Sequence, residues 1–175
     1  MTETPEARLA ALGLALPSVP APLAAYVSAV RTGAYVYTAG QLPMVDGKLL
    51  MTGKVGAEVT AAEAAALART AALNALAAVT SVTSGLSAVV RVIKMTGFVA
   101  SDPGFTSQPQ VVNGASELLL EVFGEAGRHA RSAVGTSVRR MAAPPCRPRY
   151  ERAVPPRRTP RAAVRWHRSR PVAGW

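Results

Sequence analysis

The alternation of apolar and polar residues stops at Val138, and this break limits which part of the chain can fold. Residues 139–175 contain eleven arginines and seven prolines but no lysine, so two residue types fill 18 of 37 positions. Proline interrupts both helices and the ladders of a sheet, and no apolar periodicity remains in this segment. We therefore expect one folded domain over residues 1–138 and a disordered or irregular tail over residues 139–175.

The positive charge of the chain belongs to this tail. The whole sequence carries a formal net charge of +10. In residues 1–138 three lysines and six arginines balance nine acidic residues, whereas the tail has eleven arginines and one acid, Glu151. Only the tail therefore combines arginines with tryptophans, Trp166 and Trp175, in a way that favours RNA binding. The competing hypothesis is that this Arg/Pro-rich segment is the product of a shifted reading frame in GC-rich DNA.

Cysteine content and the amino-terminal sequence bear on location. Cys146 is the single cysteine and lies in the tail, which predicts no disulfide and a reducing compartment. The start, MTETPEARLA, lacks the basic and apolar regions of a signal peptide. Prolines interrupt the uncharged stretch from Leu9 to Val30 too early for a spanning helix. We expect a cytoplasmic protein that does not enter a membrane.

End signals predict three helices. Thr4 and the proline after it open a short first helix in TPEARLAALG. Thr60 and Glu63 form a capping box before Ala-rich sequence that extends to about residue 82. A third helix is predicted over residues 108–123, with a glycine after it. Spacing of 3.6 residues places five residues on one face of the second helix: Leu67, Ala71, Asn74, Ala75 and Ala78. On this face we expect Asn74 to be a hydrogen-bonded structural amide.

Alternating residues predict the strands. Two runs flank the Thr32-Gly33 turn, a short strand follows Asp46-Gly47, and longer strands cover residues 89–100 and 130–138. Strands that alternate with two long helices are typical of an α+β fold in which a mixed sheet carries both helices on one face. The short first helix is an addition to that arrangement.

Several segments taken together resemble the RidA/YjgF family of imine deaminases, which has the chorismate-mutase-like fold. These segments are AAYVSAVRTG, YVYTAGQLP, GKVGAEVTAAEAAALARTAALNALAAV, VVRVIKMTGFVAS and ARSAV, in the family's order over about residues 19–138. The resemblance implies a homotrimer with pockets at the clefts between subunits. It also implies hydrolysis of reactive 2-enamine and 2-imino acids, such as 2-aminoacrylate, to 2-keto acids and ammonia.

The resemblance assigns roles to four residues. Arg131 in the ARS segment is the implied catalytic and substrate-binding residue, because a guanidinium holds a carboxylate through two parallel hydrogen bonds. Tyr26 is implied to line the pocket. Gly40 and Gln41 occupy the family's SGQ loop, in which alanine here replaces the serine. The residues alone leave simpler interpretations open: an acid-paired surface arginine, a packing tyrosine and a plain turn.

After ARSAV the sequence departs from the family. Family members continue with a Leu-Pro turn and a final strand that completes the sheet and carries a glutamate proposed to activate water. Here the sequence reads GTSVRRMAAPPCRPRYER, and Glu151 does not match that glutamate. Two alternatives to deamination follow: a trimer that binds small carboxylates without turnover, and a protein that associates with RNA through its tail.

No motif indicates a metal or nucleotide site. His129 and His167 lack the partner residues of metal-binding motifs, and the glycine patterns GxGxxG and GxxxxGK are absent. We therefore expect no metal and no cofactor. His129 lies two residues before Arg131, which predicts that both side chains face the same side of a strand, where His129 could relay a proton.

Overall fold

The computed structural model of the chain describes residues 3–19 and 25–137. The predicted tail, residues 139–175, lies outside the described residues, so its conformation and the frameshift hypothesis stay predictions. None of the described helices is long and apolar enough to cross a membrane. The elements, in chain order, are α1 (Pro5–Ala11), β1 (Ala29–Thr32), β2 (Tyr35–Thr38), β3 (Met44–Val45), β4 (Lys48–Leu49), α2 (Ala61–Thr80), β5 (Lys94–Ala100), α3 (Gln108–Phe123) and β6 (Ala130–Thr136).

The helices begin where their capping residues predict. The Thr4 side chain accepts a hydrogen bond from the Ala7 amide, at 3.2 Å. At the start of α2 the Thr60 Oγ1 accepts from the Glu63 amide at 3.2 Å, and Glu63 Oε2 accepts from the Thr60 amide at 2.9 Å. Hydrogen bonds from the Thr60 side chain and then its backbone lower the pKa of Glu63. The predicted capping box is confirmed.

In the described residues the strands pair as three two-stranded sheets. The hairpin β1–β2 and the short hairpin β3–β4 are antiparallel. The Asp46-Gly47 turn joins two short strands where the sequence predicted one, and both turn residues have positive φ. β5 and β6 are parallel, with α3 as the crossover between them. The fold is therefore α+β with both parallel and antiparallel pairing, as the sequence predicts.

The strand predicted over residues 89–100 begins later, at Lys94. A short 3-10 helix at Leu86–Ala88 precedes an extended connection, in which Val90 is solvent-exposed and the Val92 amide donates to the Ala126 carbonyl, at 2.8 Å. Val92 therefore contacts a short 3-10 helix at Gly124–Gly127 and not a strand, whereas the Ile93 carbonyl accepts from the Ala130 amide of β6 at 3.0 Å. Apolar alternation alone does not distinguish these two environments.

The core lies between α2, α3 and the strands that they cover. α2 packs on α3 and also contacts β2 and β3, whereas α3 covers β5 and β6. Gly114 lets the two helices approach so closely that a Cβ there would overlap the Ala65 carbonyl. The larger cluster of buried residues comprises Leu9, Ala72, Leu76, Leu86, Ala115, Leu118, Leu119, Val122 and Phe123. The second comprises Val55, Val59, Ala64, Val99, Val111 and Val112.

The buried face of α2 differs in part from the predicted one. Asn74 and Ala78 are buried as predicted, but Leu67, Ala71 and Ala75 are only half-buried. The other buried residues are Ala64, Ala72, Leu76 and Ala77. Packing against a second helix, which the sequence pattern did not reveal, accounts for this wider buried surface.

The first helix is attached to the domain at two points. Leu9 is buried in the larger core cluster. At the surface, the Ser87 hydroxyl and amide donate to the two carboxylate oxygens of Glu6, at 2.5 and 2.9 Å. These hydrogen bonds, the one from the Ser87 hydroxyl above all, lower the pKa of Glu6. The addition predicted from Thr4 and Pro5 is thus an integral part of the packed domain.

Candidate functional site

Arg131 lies on the side of β6 that faces α3. Its Nη1 donates to Asn113 Oδ1 at 2.7 Å and to Ser116 Oγ at 3.2 Å. Asn113 and Ser116 lie one turn apart on α3, so one helix surface holds both acceptors. The strand register sets Arg131 opposite Met95 of β5. The half-buried guanidinium is thereby held by two neutral side chains.

An acidic partner for Arg131 is absent from the part of the chain that the structure describes. The ion pairs in those residues join Arg8 to Glu3, Arg69 to Glu121 and Arg128 to Glu125. The interpretation of Arg131 as one half of a surface ion pair therefore finds no support in the described ranges. A charge with only neutral partners is available to an anionic ligand.

Arg131 borders an open cleft of about 290 Å³ beside the start of β6. His129 borders the same cleft, and its Nε2 lies 3.3 Å from the Ser116 hydroxyl oxygen. Its Nδ1 lies 2.6 Å from the carbonyl oxygen of Gly127. His129 lies just before the start of β6 and so is not in the same strand as Arg131, but both side chains contact Ser116 of α3. The remaining lining residues are Glu117, Leu120, Gly127 and Arg128.

The other three predicted site residues lie elsewhere in the chain. Tyr26, 53% exposed, precedes β1, while Gly40 and Gln41 follow β2. Gln41 Nε2 donates to the Ala39 carbonyl at 3.2 Å. None of these residues lines the cleft at Arg131 within one chain. Their roles in a common site with Arg131 stay predictions.

The loop after Gln41 is attached to α2 by Asn74. The Asn74 Nδ2 donates to the Leu42 carbonyl at 2.8 Å and to the Met44 carbonyl at 3.0 Å. Asn74 is buried, and both of its amide hydrogens are used. The prediction that it is a structural amide is confirmed, and the structure adds that it positions the segment carrying Gly40 and Gln41.

Sequence reasoning did not identify Asn113 and Ser116. No motif contains them, and the available signal was two polar residues three positions apart in a mostly apolar helix. Their function depends on the packing of α3 against β6, which the sequence does not show. Within residues 3–19 and 25–137, no three His, Cys, Asp or Glu side chains come together as metal ligands.

The opposite side of the β5–β6 pair is exposed, and it carries a polar pair, in which Lys94 Nζ donates to Ser132 Oγ at 2.9 Å, as well as two apolar residues. Phe98 and Val134 are direct neighbours across the two strands. Gly97 and Arg131 contact α3, so Phe98 and Val134 point away from it. Their exposed fractions are 71% and 43%. Contact with another protein chain at these two side chains would remove apolar surface from water.

Known proteins are similar to this chain in sequence and in fold. Residues 6–143 match the family described as "YjgF/chorismate_mutase-like, putative endoribonuclease". The chain is similar to protein TCP17 of Trypanosoma cruzi, with 46% identity over 132 residues, which are 75% of this chain and 82% of that protein.

Two crystal structures have a similar fold. One is described as a "putative endoribonuclease" from Shewanella oneidensis MR-1, with 40% identity, a TM-score of 0.75 and coverage of 78% of this chain and 91% of that one. The other is the protein Atu1372 from Agrobacterium tumefaciens, described as having unknown function. It has 44% identity, a TM-score of 0.71 and coverage of 80% of this chain and 85% of that one.

Proposed function

The chain belongs to the YjgF/chorismate-mutase-like family, and on that basis we propose that it hydrolyses reactive 2-enamine and 2-imino acids to 2-keto acids and ammonia. The observation that carries the proposal is the Arg131 guanidinium, which has neutral partners and no acidic partner among the described residues. Every substrate of this class carries a carboxylate beside the reacting carbon. We propose the cytoplasm as the site of action, because the sequence has one cysteine and so no intrachain disulfide.

This hydrolysis needs few catalytic groups from the protein. A 2-enamine first takes up a proton on carbon and becomes the 2-imine. Water then adds to the imine carbon, the C–N bond of the resulting carbinolamine breaks, and the nitrogen leaves as ammonia. Fixing the carboxylate holds the imine carbon in one place, so the attacking water needs only orientation and a group that relays its proton. Arg131 supplies the fixation in this proposal.

We propose that the complete pocket forms between copies of the chain in a homotrimer. In one chain, Tyr26, Gly40 and Gln41 do not line the cleft that contains Arg131. The exposed Phe98 and Val134 support assembly, since burying them removes apolar surface from water. A second copy would then bring its Tyr26 and its Gly40-Gln41 loop to Arg131.

The first experiment measures 2-keto acid and ammonia release from enzymatically generated 2-aminoacrylate. We expect the wild type to exceed the spontaneous rate and Arg131→Ala to lose about 100-fold or more in kcat/KM, because two charge-assisted hydrogen bonds disappear. Arg131→Lys should fall between them, since an ammonium cannot bind a carboxylate through a planar fork. Lys48→Ala removes an exposed cation of β4 and serves as the charge control.

Two results contradict the proposal. One is a wild-type rate equal to the spontaneous rate; pyruvate binding in that case would identify the alternative, a carboxylate-binding protein without turnover. The other is an Arg131→Ala variant that is as active as Lys48→Ala. Thermal unfolding of each variant shows whether a loss of activity comes with a loss of the folded structure.

Mixing two inactive variants tests the shared pocket. If Tyr26 and Arg131 of different copies form one site, Tyr26→Ala and Arg131→Ala subunits that are unfolded and refolded together should regain part of the wild-type activity. Mixed trimers then contain some pockets with both native residues. Each variant refolded alone is the control, and an inactive mixture of demonstrably mixed trimers would contradict the shared pocket.

A second candidate function is RNA cleavage. Both the matching family and the Shewanella protein are described as putative endoribonucleases. In this chain Arg128, His129 and Arg131 border one cleft, and cationic side chains beside a histidine suit a phosphodiester. Incubation with labelled single-stranded RNA tests this candidate: cleavage by the wild type that His129→Gln abolishes supports it, and intact RNA contradicts it.

A further inference from the structure

We propose that Ser116 and His129 are positioning residues that orient the Arg131 guanidinium, so that its Nε and Nη2 edge receives the ligand carboxylate. The identity of that ligand rests on the proposed function. The orientation of the guanidinium rests only on the hydrogen bonds around it. The two parts are therefore tested separately.

The position of one ring nitrogen determines the tautomer of His129. Its Nδ1 lies 2.6 Å from the Gly127 carbonyl oxygen, which can only accept, so Nδ1 carries a hydrogen. Gly127 packs so closely on α3 that a Cβ there would overlap the Leu119 carbonyl, which fixes the position of this acceptor. In the neutral ring, Nε2 is then left with a lone pair.

That lone pair sets the direction of the next hydrogen bond. Ser116 Oγ lies 3.3 Å from Nε2, and in the neutral ring with its hydrogen on Nδ1 the hydroxyl is the donor of this hydrogen bond. The lone pairs of the same oxygen then face Arg131, whose Nη1 donates to it at 3.2 Å. Without His129 the hydroxyl hydrogen could rotate toward the guanidinium and oppose this hydrogen bond. The chain of donors thus runs from Arg131 through Ser116 and His129 to Gly127.

The hydrogen bonds of the Arg131 guanidinium leave one of its edges without an acceptor in the described ranges. Nη1 has two hydrogens, and Ser116 Oγ and Asn113 Oδ1 accept them, the latter at 2.7 Å. In the described ranges no residue accepts a hydrogen bond from Nε or Nη2. These two atoms present parallel N–H groups, which match the two oxygens of one carboxylate. The geometry therefore predicts bidentate binding at this edge of Arg131.

Ligand affinity gives the first test, with pyruvate as the probe. Ser116→Ala should weaken pyruvate binding about ten-fold, the effect of losing one hydrogen bond to a charged group. Ser116→Thr keeps the hydroxyl and should restore most of the affinity. In the deamination assay Ser116→Ala should raise KM while kcat changes little, because the carboxylate contact is equally strong in ground and transition states. Ser116→Ala should not lower Tm, because alanine favours a helix.

A second pair of variants distinguishes the effect of the hydrogen-bond acceptor of His129 from the effect of the size of its ring. His129→Gln retains an oxygen near the place of Nε2 and should bind pyruvate nearly as well as the wild type. His129→Phe fills the same space without an acceptor and should match Ser116→Ala. Equal affinities of the Gln and Phe variants would overturn the positioning role of His129.

A measurement without ligand completes the test. In protein with 15N-labelled arginine, the Arg131 signals, assigned by their loss in Arg131→Lys, should show slow rotation of Nη1 in the wild type and faster rotation in Ser116→Ala. Unchanged rotation would overturn the proposal. The deamination rate of the wild type tests the proposed function separately, and if the wild type binds no pyruvate, the guanidinium signals alone decide on the positioning role.

Discussion

Replacing Gly114 by alanine tests the packing of α2 on α3. A Cβ at Gly114 would overlap the Ala65 carbonyl oxygen, and it would lie 2.7 Å from the carbonyl carbon and 3.2 Å from the Cα. These are backbone atoms of a helix and cannot rotate away. Relieving the overlap requires the helices to separate by about 1 Å, because carbon atoms pack at about 3.5–4.0 Å.

Two opposing effects set the expected magnitude. Alanine favours a helix over glycine by about 1 kcal/mol. Overpacking typically costs about 1–3 kcal/mol, and more where the backbone must move. Separating α2 from α3 also loosens the core cluster in which Ala115 and Leu118 of α3 are buried together with Leu76 of α2. We therefore expect Gly114→Ala to lower the free energy of unfolding by about 2 kcal/mol.

Urea unfolding, followed by circular dichroism at one fixed protein concentration, measures this change. Gly104→Ala is the matched control, because the nearest atom to its new Cβ is Asp102 Oδ1 at 3.6 Å. The control should change stability by less than about 0.5 kcal/mol. A Gly114→Ala protein as stable as the wild type, or more stable by the helix preference of alanine, would refute the close packing of the two helices.

Two further predictions concern attachments of surface segments. Asn74→Ala leaves the Leu42 and Met44 carbonyls without their donor, so urea unfolding should show a loss of about 2 kcal/mol, and a loss below about 0.5 kcal/mol would contradict the anchoring role. Glu6 has a folded-state pKa below its ordinary 4.5, because the Ser87 hydroxyl donates to it. Its contribution is therefore complete above pH 4.5 and is lost as the pH falls through the folded-state value. The Tm of the wild type should fall more steeply below pH 4.5 than that of Glu6→Gln, and parallel curves would show that the hydrogen bond does not stabilise the fold.

Local signals in the sequence predicted the helix ends and the turns. Thr4, and Thr60 with Glu63, cap their helices through groups three residues away, so a short stretch of sequence contains the whole interaction. The hairpin about Gly33 and the turn at Asp46-Gly47 depend in the same way on local backbone preferences. The family resemblance, carried by several segments in order, predicted the fold that the comparisons show.

Predictions that depended on distant partners were less complete. The strand pattern from residue 89 does not reveal that Val92 contacts the 3-10 helix at Gly124–Gly127 and not a strand, and β5 begins only at Lys94. The buried face of α2 is wider than predicted, because α3 covers residues beside the expected stripe, Ala72 and Leu76 among them. Apolar periodicity reports that a residue is covered and does not report which element covers it.

The candidate site shows the same difference between what local sequence predicts and what contacts between distant segments decide. The sequence by itself placed Arg131 in a strand, and the two-residue spacing predicted that His129 faces the same way. The strand begins only at Ala130, after His129, but both side chains reach Ser116. Only the tertiary structure brought Asn113 and Ser116 to Arg131, since they are 18 and 15 residues away and reach it through the crossover of α3 onto β6. The sequence specifies the charged group, and packing between distant segments decides which of its hydrogen-bond donors remain free for a ligand.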